Sequence, residues 1–145
     1  MDAPSYSRAE MLAANPRAVR AALRLYFAIV ERWGLKGDEA RRLLGSPSES
    51  TYFSWKKQGV DAVSPDVMLR LSYTLGIAAL LQRLFAAVPE RAAQWMRTAN
   101  HGPLMGGSSP LAMLLEGGPV ALDRLYGQLT DDAGGGLPVT VPSLA

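Results

Sequence analysis

The sequence predicts an all-α protein, and three observations lead to that prediction. Apolar residues recur at three- and four-residue spacing in successive blocks, as they do on the buried face of a helix. Four of these blocks open on an Asn-Pro or Ser-Pro pair, which is typical of a helix start. In addition, no segment alternates polar and apolar residues between hairpin turns, so a sheet is not expected.

The first predicted helix covers residues 15–34. Asn15 is suited to cap its N-terminus, Pro16 fits its first turn, and Gly34 is suited to the left-handed conformation that ends a helix. Five apolar side chains then fall on one face, which predicts an amphipathic core helix: Val19, Leu23, Tyr26, Phe27 and Val30.

Two short helices are expected next. The segment "GDEARRLLG" reads as one helix closed by Gly45, and "SPSESTYFSWKKQG" as the second. In the second segment, Ser46 and Glu49 form a Ser-x-x-Glu capping box with Pro47 at the first helical position. Two short helices joined at a glycine predict a helix-turn-helix unit.

The remaining helices are predicted from the same start signals. Ser64 and Ser109, each followed by proline, are expected to start helices, and Pro119 to start the last one. The predicted segments are "PDVMLRLSYTLG", "IAALLQRLFAAV", "PERAAQWMRTAN", "PLAMLLEGG" and "PVALDRLYGQL". The glycines of "NHGPLMGGSSP" predict a shaped turn, and "EGGP" predicts a corner between two helices.

The C-terminal segment "TDDAGGGLPVTVPSLA" is expected to be an extended tail. Its three consecutive glycines are expected to end the last helix, and its prolines disfavour both a helix and a central strand. The tail is assigned to residues 131–145.

Composition argues against several classes of function. The chain has no cysteine and one histidine, His101, so it offers no thiolate or His-based metal cluster. Asp131 and Asp132 read as solvated residues, and no nucleophile–base set or phosphate-binding loop is present. We therefore expect no catalytic residue, metal or cofactor. No secretion signal or long apolar run is found, so the expected location is the cytoplasm.

Charge is distributed unevenly along the chain. Residues 1–60 contain ten Lys or Arg against six Asp or Glu, a net charge of +4, whereas residues 61–145 contain five against seven, a net charge of −2. A basic first half suggests an anionic partner there, such as DNA.

The second helix of the helix-turn-helix unit is the candidate DNA-binding element, since such a helix enters a major groove. Candidate contacts to phosphates or base edges are Ser48, Ser50, Thr51 and Ser54, with Lys56 and Lys57 neutralising backbone charge. A structural interpretation stays open: Tyr52, Phe53 and Trp55 include the core face, and the serines merely start a helix. For Trp55 the core is favoured.

Four blocks in order resemble the Xre/MbcA/ParS antitoxin family. They are "LLGSPSESTYFSWKK", "SPDVMLRLSYTLGIAALLQRLF", "AAQWMRTAN" and "GSSPLAMLLEGGPVALDRL". The resemblance implies an Xre-like helix-turn-helix region at 1–75, a toxin-binding domain at 76–130 and an antitoxin without catalytic activity. Its implied partner is a RES-domain toxin that acts on NAD, which the antitoxin binds and whose active site it obstructs. A hetero-oligomer with the toxin is expected, and a homodimer stays open.

The resemblance also implies two sets of site residues. The proposed toxin-binding residues of the tail are Leu137, Pro138, Val139, Thr140, Val141, Pro142 and Leu144. Residues that match the family pattern and are expected to shape the toxin-binding domain are Trp95, Asn100, Pro110, Leu111, Gly117 and Gly118.

One departure from the family pattern concerns the turn. Ala40 precedes Gly45 by five positions where a small residue four positions before the glycine is usual, and the turn is one residue longer. Toxin binding is therefore the firmer expectation, and operator binding the weaker one. Two alternatives remain: a helix-turn-helix transcriptional repressor whose partner binding is incidental, and an inert helical scaffold.

Overall fold

The computed structural model describes residues 3–134, and the all-α prediction is confirmed there, since this range contains helices and no strand. It divides into two compact units, with the boundary between Leu75 and Gly76. No helix in this range combines the length and apolar character needed to cross a bilayer. The helices are α1 (Tyr6–Ala13), α2 (Pro16–Arg32), α3 (Gly37–Leu43), α4 (Glu49–Gln58), α5 (Pro65–Leu84), α6 (Arg91–Arg97) and α7 (Pro110–Gly134).

Helix α2 forms the core of the first unit, with the ends that the sequence predicts. The Asn15 side chain accepts a hydrogen bond from the Ala18 N–H (3.2 Å), and Gly34 follows the helix in the left-handed conformation (φ +66°). Phe27 is half-buried. The rest of the inward face is buried: Val19, Ala22, Leu23, Tyr26, Ile29 and Val30.

A buried hydrogen bond attaches α3 to α2. The Tyr26 hydroxyl donates to the Ala40 carbonyl (2.7 Å), and both residues are buried. Ala40 lies in the last turn of α3, where carbonyls have no partner further along the helix. Burial, with a smaller contribution from Tyr52, raises the pKa of Tyr26 well above the ordinary value of 10.0.

A row of aromatic rings attaches α4 to α2. Phe27 meets Tyr52 edge to face, with 5.4 Å between ring centroids. On either side, the pairs Tyr26–Phe27 (5.9 Å) and Tyr52–Phe53 (5.8 Å) have the same geometry. Such pairs contribute about 0.5–1.5 kcal/mol each beyond their burial. The row therefore runs from the centre of the unit to the outer side of α4.

Helix α1 was not predicted from the sequence. Its N-cap is Ser5, whose hydroxyl accepts from the Arg8 N–H (3.2 Å). Only Ala9 and Ala13 are buried along it. Two alanines give too small an apolar face for the periodicity to indicate a helix.

The prediction of two helices between residues 65 and 88 is wrong, because α5 runs without a break from Pro65 to Leu84. Gly76, the last residue of the predicted segment "PDVMLRLSYTLG", lies inside α5. A Cβ atom at this position would be 2.7 Å from Cε2 of Tyr126 on α7. The glycine thus makes room for a ring that is distant in sequence.

Helix α7 contains the predicted corner. Gly118 is non-helical (φ +60°, ψ −144°), and Pro119 starts the second half. The helix then continues to Gly134, so residues 131–134, predicted to belong to the tail, are helical. Here Gln128 Nε2 donates to both carboxylate oxygens of Asp132 (3.2 Å each), which supports this last turn.

We expect Tyr26→Phe to lower the free energy of unfolding by roughly 1–3 kcal/mol, because the Ala40 carbonyl loses its buried donor. Denaturant titration of the full chain measures this loss. Tyr6→Phe is the matched control, since Tyr6 is exposed. Equal stabilities of Tyr26→Phe and the unsubstituted chain would show that the hydrogen bond has no net effect.

The same tyrosine predicts a pH dependence. A pKa that folding raises gives stability that is present below the unfolded pKa and is lost as pH rises above it. Stability is therefore expected to fall above a pH of about 10, and to fall less in Tyr26→Phe. Denaturant titrations of both proteins across this pH range test the difference.

Candidate functional site

The helices α3 and α4 are joined by a five-residue turn, Leu44–Ser48. The first part of this turn ends α3 with two bonds of a Schellman motif. The Gly45 N–H donates to the Arg42 carbonyl (3.0 Å) and the Ser46 N–H to the Arg41 carbonyl (2.8 Å). Gly45 and Ser46 are both left-handed, with φ of +89° and +61°.

The N-cap of α4 is Ser48, so the predicted capping box from Ser46 is wrong. The Ser48 hydroxyl accepts from the Thr51 N–H (3.2 Å) and contacts Thr51 Oγ1 (2.9 Å). Ser46 cannot serve as the cap because its backbone already closes α3. The turn is correspondingly long, as the position of Ala40 indicated.

Tyr52 of α4 faces the core, whereas the exposed side of the helix carries polar, charged and aromatic side chains. Tyr52 is 3% exposed, whereas Phe53, the next residue, is 55% exposed. No hydrogen bond or ion pair involves the Lys56 or Lys57 side chain within residues 3–134. The exposed residues of the helix are Glu49, Ser50, Phe53, Lys56, Lys57 and Gln58.

A cleft of about 300 Å³ lies between α2 and the end of α4. Trp55 lines it and is half-buried, so it belongs neither to the closed core nor to the open surface. Arg20 closes one side, where its Nε donates to Asp61 (2.7 Å) and its Nη1 to the Gln58 carbonyl (3.3 Å). Arg24 and Lys56 add two further cations.

Comparison with known proteins identifies the domain family of the helix-turn-helix region. The family model of the antitoxin Xre-like helix-turn-helix domain matches residues 12–76, the range that contains α2, α3 and α4. The chain belongs to the Xre-like antitoxin family. The resemblance to an Xre-type antitoxin is thereby confirmed for this part of the chain.

A relative extends the similarity beyond the helix-turn-helix unit. The uncharacterized protein y4oB of Sinorhizobium fredii (strain NBRC 101917 / NGR234) is 39% identical over 117 residues. The aligned part covers 81% of this chain and 88% of the relative. Membership of the Xre-like antitoxin family implies a toxin partner, and the helix-turn-helix unit makes DNA a second candidate ligand.

The six candidate DNA contacts have different surroundings in this antitoxin. Ser48, Ser50, Lys56 and Lys57 are exposed. The Ser48 hydroxyl donates to Thr51 Oγ1 (2.9 Å) and lies 3.3 Å from the Ser50 hydroxyl. Ser54 is partly covered, and its hydroxyl accepts from Gln58 Nε2 (3.0 Å). DNA contact by these residues stays a prediction.

In the second unit, Asn100 organises the glycine-rich loop between α6 and α7. Its backbone N–H donates to Ser108 O (3.0 Å), and its carbonyl accepts from the Gly107 N–H (2.8 Å). Its side chain accepts from the Gly102 N–H (2.9 Å). Asn100 therefore ties the two ends of the loop together.

Trp95 is buried (1% exposed) beside Phe85, with 6.3 Å between ring centroids. Within residues 3–134, its Nε1 is the one buried side-chain nitrogen or oxygen without a hydrogen-bond partner. Trp95 also lines a cavity of about 140 Å³ with Met105 and Leu129.

The other residues of the family pattern lie on α7. Pro110 and Leu111 are buried in its first turn. At Gly117, a Cβ atom would lie 2.5 Å from that of Ala121, and Gly118 makes the corner. Contact of any of these residues with a toxin stays a prediction.

The proposed toxin-binding residues of the tail, Leu137 to Leu144, lie outside the described residues. No group of three metal-ligating His, Asp or Glu side chains occurs in the range that the structure describes.

The revised N-cap can be tested with two serines of one turn. We expect Ser48→Ala to lower the free energy of unfolding by roughly 1 kcal/mol, because the Thr51 N–H loses its acceptor. Ser46→Gly, the matched variant, is expected to be neutral or stabilising, because glycine adopts a left-handed φ without strain. Denaturant titration compares the two variants. If Ser46→Gly is the less stable of the two, Ser46 and not Ser48 caps α4.

Proposed function

We propose that this chain is the antitoxin of a type II toxin–antitoxin system and that its partner is a RES-domain toxin acting on NAD. The observation that carries the proposal is the match of residues 12–76 to the Xre-like antitoxin domain. The specific partner is inferred from the blocks of the second unit, "AAQWMRTAN" and "GSSPLAMLLEGGPVALDRL", which resemble the toxin-binding region of the Xre/MbcA/ParS family.

The proposed mechanism is steric and requires no catalytic activity in the antitoxin. The helices of the second unit supply most of the binding surface, and the tail from Leu137 to Ala145 enters the toxin's active-site cleft and excludes the dinucleotide. Pro138 and Pro142 suit the tail to this role. Proline restricts the free chain, so less conformational entropy is lost when the segment docks.

Co-expression with the product of the neighbouring gene tests the function. We expect the chain to co-purify with that protein and to restore growth that the protein alone arrests. If it does neither, the antitoxin proposal is wrong.

A tail variant tests the mechanism separately. Deleting Leu137–Ala145 is expected to leave the helical content unchanged and to weaken inhibition of NAD consumption more than it weakens toxin binding. A chain in which these residues are replaced by an equally long Gly/Ser segment is the control for length. If the deleted chain inhibits as completely as the full chain, the helices alone block the toxin.

We further propose that the helix-turn-helix unit binds the operator of its own operon. The exposed outer side of α4, with Lys56 and Lys57 unpaired among the described residues, supports this second activity. Cations in such a position displace counterions from phosphates.

Salt dependence tests this DNA contact. If each lysine contacts one phosphate, Lys56→Ala and Lys57→Ala should each reduce the slope of log K against log salt by roughly 0.9. Gel-shift titrations on the promoter duplex measure the slope. Arg91→Ala, which removes an exposed cation from the second unit, is the control. Unchanged slopes in both lysine variants would exclude them from the interface.

A further inference from the structure

Phe53 is exposed at the middle of α4, on the helix proposed to face DNA. Its side chain is 55% exposed, and its exposed neighbours on the helix are polar or charged: Glu49 and Ser50 precede it by four and three residues, and Lys56 and Lys57 follow it by three and four. These spacings place the five side chains along one side of the helix. A single phenyl ring thus lies between a carboxylate and a hydroxyl towards the start of the helix and two cations towards its end.

The orientation of this ring is set by the core. Phe53 meets Tyr52 edge to face (5.8 Å), Tyr52 is 3% exposed, and Tyr52 in turn meets Phe27 of α2 (5.4 Å). A ring held in this way loses little conformational freedom when it binds. Phe53 is therefore an exposed apolar group that is already positioned for contact.

The chemistry of the major groove provides one apolar partner for such a ring. Adenine, guanine and cytosine present donors and acceptors there, whereas thymine also presents its C5-methyl group, which phenylalanine can contact. The neighbouring lysines suit the phosphates on either side of the groove. We propose that Phe53 reads thymine, packing its ring on the C5-methyl group of a thymine in the operator. This inference rests on the operator binding proposed above.

The distribution of exposed apolar groups favours DNA over a protein partner at this helix. The large exposed hydrophobic side chains of residues 3–134 are Tyr6, Met11, Leu25, Phe53 and Val120, and Phe53 alone of these belongs to α4. A protein interface has an apolar core from which charged residues are depleted. A lone ring between two lysines and a serine does not provide one.

Replacing thymine with uracil removes the methyl group and leaves base pairing intact. The probes are a duplex of the region upstream of the operon and the same duplex with deoxyuridine at every thymine. The full chain is titrated, alone and with the neighbouring gene's product. We expect uracil to weaken binding by about four-fold for one methyl contact, the equivalent of roughly 0.8 kcal/mol.

We expect Phe53→Ala to bind the thymine and uracil duplexes with equal affinity. This affinity should be close to the affinity of the unsubstituted chain for the uracil duplex. Phe53→Leu, which keeps an apolar group, should retain part of the preference for thymine. Tyr6→Ala is the matched control, because Tyr6 is equally exposed (56%) but lies on α1. It should retain the full preference.

The outcomes separate this inference from the operator binding on which it rests. If the unsubstituted chain binds both duplexes equally, Phe53 does not read thymine, although operator binding stands. If uracil weakens Phe53→Ala as much as the unsubstituted chain, another residue reads the methyl group. If no promoter duplex is bound in preference to a shuffled one, operator binding fails and this inference with it. If Phe53→Ala binds both duplexes as the unsubstituted chain does but no longer co-purifies with the toxin, the ring contacts protein and the inference is wrong.

Discussion

The helix-turn-helix unit depends on the buried hydrogen bond from the Tyr26 hydroxyl to the Ala40 carbonyl. A buried hydroxyl without a partner is costly, so this bond fixes where the end of α3 lies against α2. Phe27, the next residue of α2, meets Tyr52 and so fixes α4. Two consecutive residues of one helix therefore position both helices of the unit, and the turn between them has only to connect two ends that are already placed.

This arrangement determines which side of α4 meets solvent. Once Tyr52 is turned inward, Phe53, Lys56 and Lys57 are turned outward. The family match covers the same part of the chain, residues 12–76, so the contacts that fix the exposed side of α4 lie within the Xre-like domain. In the second unit, Asn100 has the corresponding structural role, because it closes the glycine-rich loop from which α7 departs.

The sequence predicts features whose causes are local. Asn15 and Gly34 could be assigned because a cap and a left-handed end depend on a few neighbouring residues. Gly76 was misread because its cause, the ring of Tyr126, is fifty residues away along the chain. Ser46 was misread because the end of α3 uses its backbone. The sequence could not show which of the adjacent aromatic residues of α4 faces inward, since Phe27 decides it, so the exposure of Phe53 was missed.

The central structural claim is that α2, α3 and α4 form one cooperative body, and native-state amide hydrogen exchange tests it most directly. In a cooperative body, the slowest amides of the three helices exchange with the same free energy, through the same global opening. Because the Tyr26 bond and the aromatic row join these helices, we predict equal values for α2 and α4 in the full chain. A markedly lower exchange free energy for α4, through an opening that leaves α2 protected, would contradict the claim.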